Sequence, residues 1–368
     1  MKRSFTKSNI TFLIFLWNIF CFPFSSAAQK TTEFRIIGYY SGNTIPVDSF
    51  ETDKLTHLIF SFGNLNGNRF QINNGIDSAT IQSMVQLKAD NPNLKVMLSL
   101  GGWGGCKTCS DVFNTRDGRE EFVKSVKEVT TYFKTDGIDL DWEYPAIKGF
   151  PDHTFRKEDR DNFTLLLKEL RKVMGDSFEI SFAAGGFTDY INTSIDWKEV
   201  IKYTNFINIM SYDLVHGYSK ISGHHTPLYS TPQQTESTDH AVQMLLHEGV
   251  PAEQLVIGAA FYGRFFEIEP DNKVDLYMPC KFSHAFSSKY ASDSLSVKNG
   301  FVAAWDETAQ APYAINQQRR LLATYDDERS VAIKTKYALN NKLGGIMFWQ
   351  RYDDSVHNGL LDVIFRNK

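Results

Sequence analysis

Residues 136–145 read DGIDLDWEYP, and within them Asp139, Asp141 and Glu143 fall at every second position. Ile138, Leu140 and Trp142 fill the positions between. Alternate side chains of a β-strand share a face, so the spacing predicts three carboxyl groups on one side of an otherwise apolar strand. Neighbouring acids on such a face stand about 7 Å apart. In a low-dielectric interior they cannot all ionise, and at least one keeps its proton. A carboxylic acid still protonated near neutral pH is what a general acid requires. Two other chemistries fit the same residues: a Mg²⁺ or Ca²⁺ site, and a structural ladder of hydrogen-bonded acids.

Such a strand needs a scaffold. Eight short apolar runs read as buried strands: 34–40, 55–63, 94–102, 137–143, 178–184, 206–213, 255–262 and 344–350. Amphipathic patterns lie between them, at 78–90, 119–134, 161–174, 239–249 and 328–341. Eight alternations predict an α/β fold, a closed (β/α)8 TIM barrel, with its active residues at the carboxyl ends of the strands. No G-x-G-x-x-G follows the first strand, which argues against an open dinucleotide-binding sheet. Residues 266–329 break the rhythm and read as a small α+β insertion between strands seven and eight.

The chain has 368 residues, of which 42% are hydrophobic and 14% aromatic, enough for a large core and for aromatic walls around a cleft. Lys2, Arg3 and Lys7, an apolar stretch from Ile10 to Phe24 and the small residues Ser26 and Ala28 form the three-part pattern of a secretory signal at 1–28. The remainder, 29–368, is expected to be the secreted catalytic barrel, extracellular or periplasmic, with no membrane attachment. Removing 1–28 takes three positive charges and moves the formal charge from −4 to −7. No basic stripe remains, so nucleic acid is not expected as a partner. Cys106 and Cys109 form a C-x-x-C, read in an exported chain as a local disulfide, with Cys280 left over.

The acidic strand resembles the D-x-x-D-x-D-x-E signature of glycoside hydrolase family 18, the chitinase family. The resemblance extends to SLGGW (99–103), MSYD (210–213), FYGR (261–264) and GGIMFW (344–349), which stand in the family's order across most of the chain. It implies a retaining mechanism in which the substrate's own acetamide attacks, an exception to the two-carboxylate scheme. Glu143 would donate the proton, Asp141 would hold the acetamido N–H, and Asp139 would share a proton with Asp141. Tyr212 would hold the acetamido carbonyl, with Asp213 at the same subsite and Met210 beneath the methyl group. Trp349 would floor the cleavage site and Trp103 would stack the sugar on the leaving-group side. Tyr39 and Phe62 resemble wall residues, and Arg264 resembles an arginine that reaches the cleft. Asp136 is assigned to holding the strand's start.

The expected substrate is therefore chitin or its oligosaccharides, bound by a monomer without metal or cofactor. An endo-β-N-acetylglucosaminidase acting on N-glycans and a non-catalytic chitin-binding lectin are the alternatives. The presence of Glu143 argues against the lectin. His224 and His225 are read as part of a rigid rim loop, and Asn162 and Asn192 as glycosylation motifs.

Overall fold

The computed structural model describes residues 1, 2, 4, 33–42 and 51–368. The chain divides into two compact units, Met1–Thr32 and Glu33–Lys368. Apart from residues 1, 2 and 4, the expected signal stretch lies outside the described residues. No helix among them is long and apolar enough to cross a membrane.

In the second unit the eight expected strands form. They are β1 (Arg35–Tyr40), β2 (His57–Asn66), β4 (Lys95–Gly101), β5 (Gly137–Asp141), β6 (Glu179–Gly185), β7 (Phe206–Met210), β8 (Leu255–Ala260) and β14 (Gly345–Trp349), with a short β3 (Arg69–Gln71) turned back on β2. They pair in parallel in the order β1-β14-β8-β7-β6-β5-β4-β2, and β1 pairs with β2 to close the barrel. Closure leaves no barrel edge, and both faces of each strand are covered, which is why the runs read as almost continuously apolar.

Several helices start where the sequence supplies caps. The Asn74 side chain accepts from Ile76 N and Asp77 N ahead of helix Gly75–Gln86. Thr115 Oγ1 accepts from Gly118 N ahead of Arg116–Phe133. Asp327 and Ser330 exchange hydrogen bonds at the start of Glu328–Asn340. Each such cap contributes about 1 kcal/mol. In helix Arg116–Phe133, Phe122, Val126 and Phe133 fall at helical spacing and are buried against the barrel. Inside the barrel, Ile37, Ile59, Met97, Phe206, Val256 and Met347 fill the lumen below the strands' carboxyl ends.

Between β8 and β14 the chain builds a second, antiparallel sheet in the order β10-β9-β13-β12-β11. Its strands are β9 (Tyr262–Ile268), β10 (Cys280–Ser287), β11 (Val302–Asp306), β12 (Ala311–Asn316) and β13 (Leu321–Thr324). Among its described residues the helical part is small, with Ala291–Ser294 the α-helical turn.

Candidate active site

Strand register builds the acid ladder. Asp139 lies directly opposite Ser99 on β4 and Ser181 on β6. Ser99 Oγ donates to Asp139 Oδ2 at 2.9 Å and Ser181 Oγ to Oδ1 at 2.6 Å. Tyr39 Oη adds a hydrogen bond to Oδ2 at 3.0 Å, and Asn208 Nδ2 one to Oδ1 at 3.2 Å. Asp139 is fully buried, and burial raises its carboxyl while these four donors oppose the rise. Sequence reasoning missed Ser99, Ser181 and Asn208 as partners. The available signal was a lone polar residue at an inward position of each apolar strand.

Asp141 meets a different neighbour. Its partner on β4 is Gly101, which offers no hydroxyl. A Cβ at Gly101 would stand 2.4 Å from the Asp141 carbonyl oxygen, and its φ of +105° suits glycine alone, so the SLGG segment is fixed by backbone approach. Asp141 is buried, and its Oδ1 finds no hydrogen-bond partner among the described residues. Burial, then the charges of Glu143 and Asp139, push its carboxyl well above the usual range.

Glu143 follows the strand at the barrel mouth, 9% exposed. Burial raises its carboxyl to about 7, with Asp213 adding to the rise and Tyr144 opposing it. Near neutral pH a substantial share of Glu143 therefore keeps its proton. The peptide bonds Ser61–Phe62, Glu143–Tyr144 and Trp349–Gln350 are cis.

Tyr212, just past β7, keeps its phenolic proton because burial and then the Asp141 and Glu143 charges raise it well above its ordinary value. Among the described residues its hydroxyl makes one weak hydrogen bond, to Met347 Sδ at 3.9 Å. Asp213 accepts a two-pronged hydrogen bond from Arg264, Nε to Oδ1 and Nη2 to Oδ2, each 2.5 Å. Burial opposes its ionisation, but His225 and the Arg264 guanidinium hold it well below the carboxylate range. His225 Nδ1 stands 3.5 Å from Asp213 Oδ1, close enough for charge interaction but not in hydrogen-bonding geometry. Arg264 thus engages Asp213 rather than open cleft. Met210 is 9% exposed and belongs to the lumen cluster on which Tyr144, Tyr212 and Trp349 pack.

Trp349 ends β14 half-buried, with Phe62 stacked beside it at 5.5 Å and 15° and Tyr39 tilted at 5.9 Å. Tyr39 itself is buried, so its hydroxyl serves Asp139 from below instead of forming an open wall. Trp103 is 48% exposed at the mouth.

Several residues singled out in the sequence lie away from this cluster. Asp136 sits at the amino end of β5, where its carboxylate accepts from Val96 N and from Lys88 Nζ, each at 2.8 Å. Cys106 and Cys109 are joined as a disulfide and are buried behind Gly101. Cys280 is a free, buried thiol that burial pushes up to about 11. His224 is buried rather than at an exposed rim, its Nε2 3.1 Å from Asp306 Oδ2 on β11. Asn162 is buried and bonded to Arg119 and Asn114, whereas Asn192 is exposed.

A family model described as "Glycosyl hydrolases family 18" matches residues 35–354. The chain is 33% identical over 302 residues to Chitinase A1 of Niallia circulans, taking in 75% of this chain and 43% of that protein. It is 31% identical over 324 residues to the oviduct-specific glycoprotein of Mus musculus, covering 82% and 43% respectively. The chain thus spans under half the length of these two relatives. Among solved structures, a glycoside hydrolase family 18 N-acetylglucosaminidase from Paenibacillus barengoltzii superposes with a TM-score of 0.82 at 31% identity, over 91% of this chain and 100% of that one.

Proposed function

The chain belongs to glycosyl hydrolases family 18, and from that premise we propose that it is a chitinase, cleaving β-1,4-linked N-acetylglucosamine chains with retention through the substrate's own acetamide. Glu143 donates its proton to the bridging oxygen as the C1–O bond breaks. The acetamido carbonyl oxygen attacks C1 and closes an oxazolinium ring. Asp141, its proton passed to Asp139, accepts the acetamido N–H and stabilises the positive charge that spreads over that ring. Tyr212 donates its hydroxyl to the acetamido carbonyl and orients it. Asp139, held by four donors, sets the charge next to Asp141. Water then opens the oxazolinium at C1, with Glu143 as base. The sugar rests on Trp349, whose ring covers the apolar C–H face.

One observation carries this reading. Among the described residues a buried carboxyl oxygen of Asp141 lacks any donor, and it stands two residues from an acid that keeps a proton near pH 7. An unpaired buried acceptor is costly, and a ligand N–H would satisfy it. A second reading, release of single N-acetylglucosamine units, has support from the solved relative of that activity, which matches along its whole length. Export is proposed as well. It is supported by the pattern of residues 1–28 and by the Cys106–Cys109 disulfide, a bond at home in oxidising compartments.

The test offers chitotetraose, cellotetraose and a high-mannose glycopeptide in separate reactions. Products from chitotetraose alone are expected, as disaccharide for the first reading and monosaccharide for the second. Cleavage of cellotetraose at a similar rate would sink substrate assistance, because that sugar has no acetamide. Cleavage of the glycopeptide alone would move the activity to N-glycan cores.

A further inference from the structure

The segment that follows Glu143 is pinned by a carboxylate that the catalytic steps do not use. Asp159 opens helix Asp159–Met174 and is fully buried. A buried carboxylate is costly unless donors surround it. Three donors reach this one. Its Oδ2 accepts from Arg156 N at 2.7 Å and, at a longer 3.4 Å, from Ala146 N. Its Oδ1 accepts from Ser110 Oγ at 2.8 Å.

These partners belong to two different barrel segments. Ala146 stands three residues after Glu143 with a φ of +63°, a left-handed conformation that is unfavourable for alanine. Such a conformation persists where its neighbours over-determine it. The chain then returns on itself, because a Cβ at Gly149 would stand 2.1 Å from the Glu143 carbonyl oxygen. The turn 144–149 is thus closed against the backbone of the acid. Within it the Tyr144 ring packs edge-on against Phe187 and Tyr190, each at 5.4 Å. Ser110 lies after β4, beside Cys109 of the disulfide, and is itself fully buried. Its Oγ also accepts from Arg156 Nη1 at 2.7 Å, and Arg156 Nη2 pairs with Asp111. One carboxylate therefore ties the segment after β4 to the segment after β5.

Glu143 is faced by the carboxyls of Asp141 and Asp213 and by the phenols of Tyr144, Tyr190 and Tyr212. The hydrogen bonds of Asp159 run to none of them, but to the backbone that carries Glu143 onward. We propose that Asp159 is a positioning residue for the reaction: by fixing the turn 144–149 it aims the Glu143 carboxyl and keeps water from it. The inference rests on the proposed role of Glu143 as proton donor.

The experiment follows kcat and kcat/KM for chitotetraose against pH in wild type, Asp159→Asn and Asp159→Ala. Asparagine removes the charge and keeps an oxygen for the two backbone N–H groups, whereas alanine removes both. Asp159→Ala is expected to lower kcat about 10- to 100-fold while KM changes less than about threefold, the signature of a misplaced group. It is also expected to move the alkaline midpoint of kcat/KM down from near 7 by about one unit or more, as water reaches Glu143. Asp159→Asn is expected to hold that midpoint within about 0.3 and kcat within about threefold, because the acceptor remains. A folded Asp159→Ala with wild-type kcat and midpoint makes the residue merely structural and overturns the inference, whatever its stability. So does an Asp159→Asn that shifts as far as alanine, since charge and not position would then act. Should Asp159→Ala fail to fold, Asp159→Ser, a residue suited to a helix start, takes its place under the same outcomes. If wild type cleaves nothing, the proposed function fails, and an isotope-edited titration of the Glu143 carboxyl still decides the positioning. A midpoint about one unit lower in Asp159→Ala than in wild type supports it, and equal midpoints refute it.

Discussion

At Glu143 one physical cause, burial, both supplies the proton and costs stability. With its carboxyl raised to about 7, the acid form is present below neutrality and disappears as pH rises through that value. The kcat/KM for chitotetraose should therefore fall on the alkaline side with a midpoint near 7. Glu143→Gln should lower turnover by about 10²- to 10⁴-fold, while chitotetraose still binds in calorimetry. The linkage sign also follows. The folded value lies above the ordinary 4.5, so this group's contribution to stability is intact below pH 4.5 and is lost as pH rises through about 7. Glu143→Gln should thus gain stability over wild type between pH 4 and 8, on the order of 3 kcal/mol. Urea unfolding at the two pH values measures it, and an equal difference at both would contradict the burial argument. The three acids were legible because a strand's period of two exposes itself in sequence. Their partners were not, because Ser99, Ser181 and Asn208 lie 40, 42 and 69 residues from Asp139 and meet it only through the register of a closed barrel.

Between elements, a fully buried ion pair ties the site's loops to the last large helix. Lys334, on helix Glu328–Asn340, donates to both oxygens of Asp326 at 2.9 and 2.7 Å and to the Thr226 carbonyl at 2.8 Å. Asp326 in turn accepts from Ala260 N at the end of β8, and Thr226 Oγ1 donates to the Ser211 carbonyl, next to Tyr212. Lys334→Met leaves Asp326 buried without its cation and should cost about 3–5 kcal/mol in urea unfolding. A change under about 0.5 kcal/mol, the scale of an ordinary surface substitution, would show that the network bears no weight. Neither Lys334 nor Asp326 stood out in the sequence, since a charged residue in an amphipathic helix reads as solvated. The eight barrel strands were legible as apolar runs. The second sheet was less so, because strands such as β11 are half-open, with Val302 and Ala303 exposed, and their pattern is weak.

For the molecule as a whole, closure of the barrel brings residues from β1, β4, β6 and β7 onto one carboxylate, Asp139 of β5, and arranges the aromatic mouth above it. The disulfide contributes on a smaller scale. It closes a short loop, with a sequence separation of 3, so replacing both cysteines by alanine should cost about 2 kcal/mol. Thermal unfolding of the double variant checks this. The central claim is that Glu143 holds a proton at the pH where the enzyme works. The most direct measurement is an isotope-edited titration of the Glu143 carboxyl in the folded chain, with Glu143→Gln identifying the signal. A midpoint near 7 is the result expected. A midpoint at the ordinary glutamate value of about 4.3 would contradict the account.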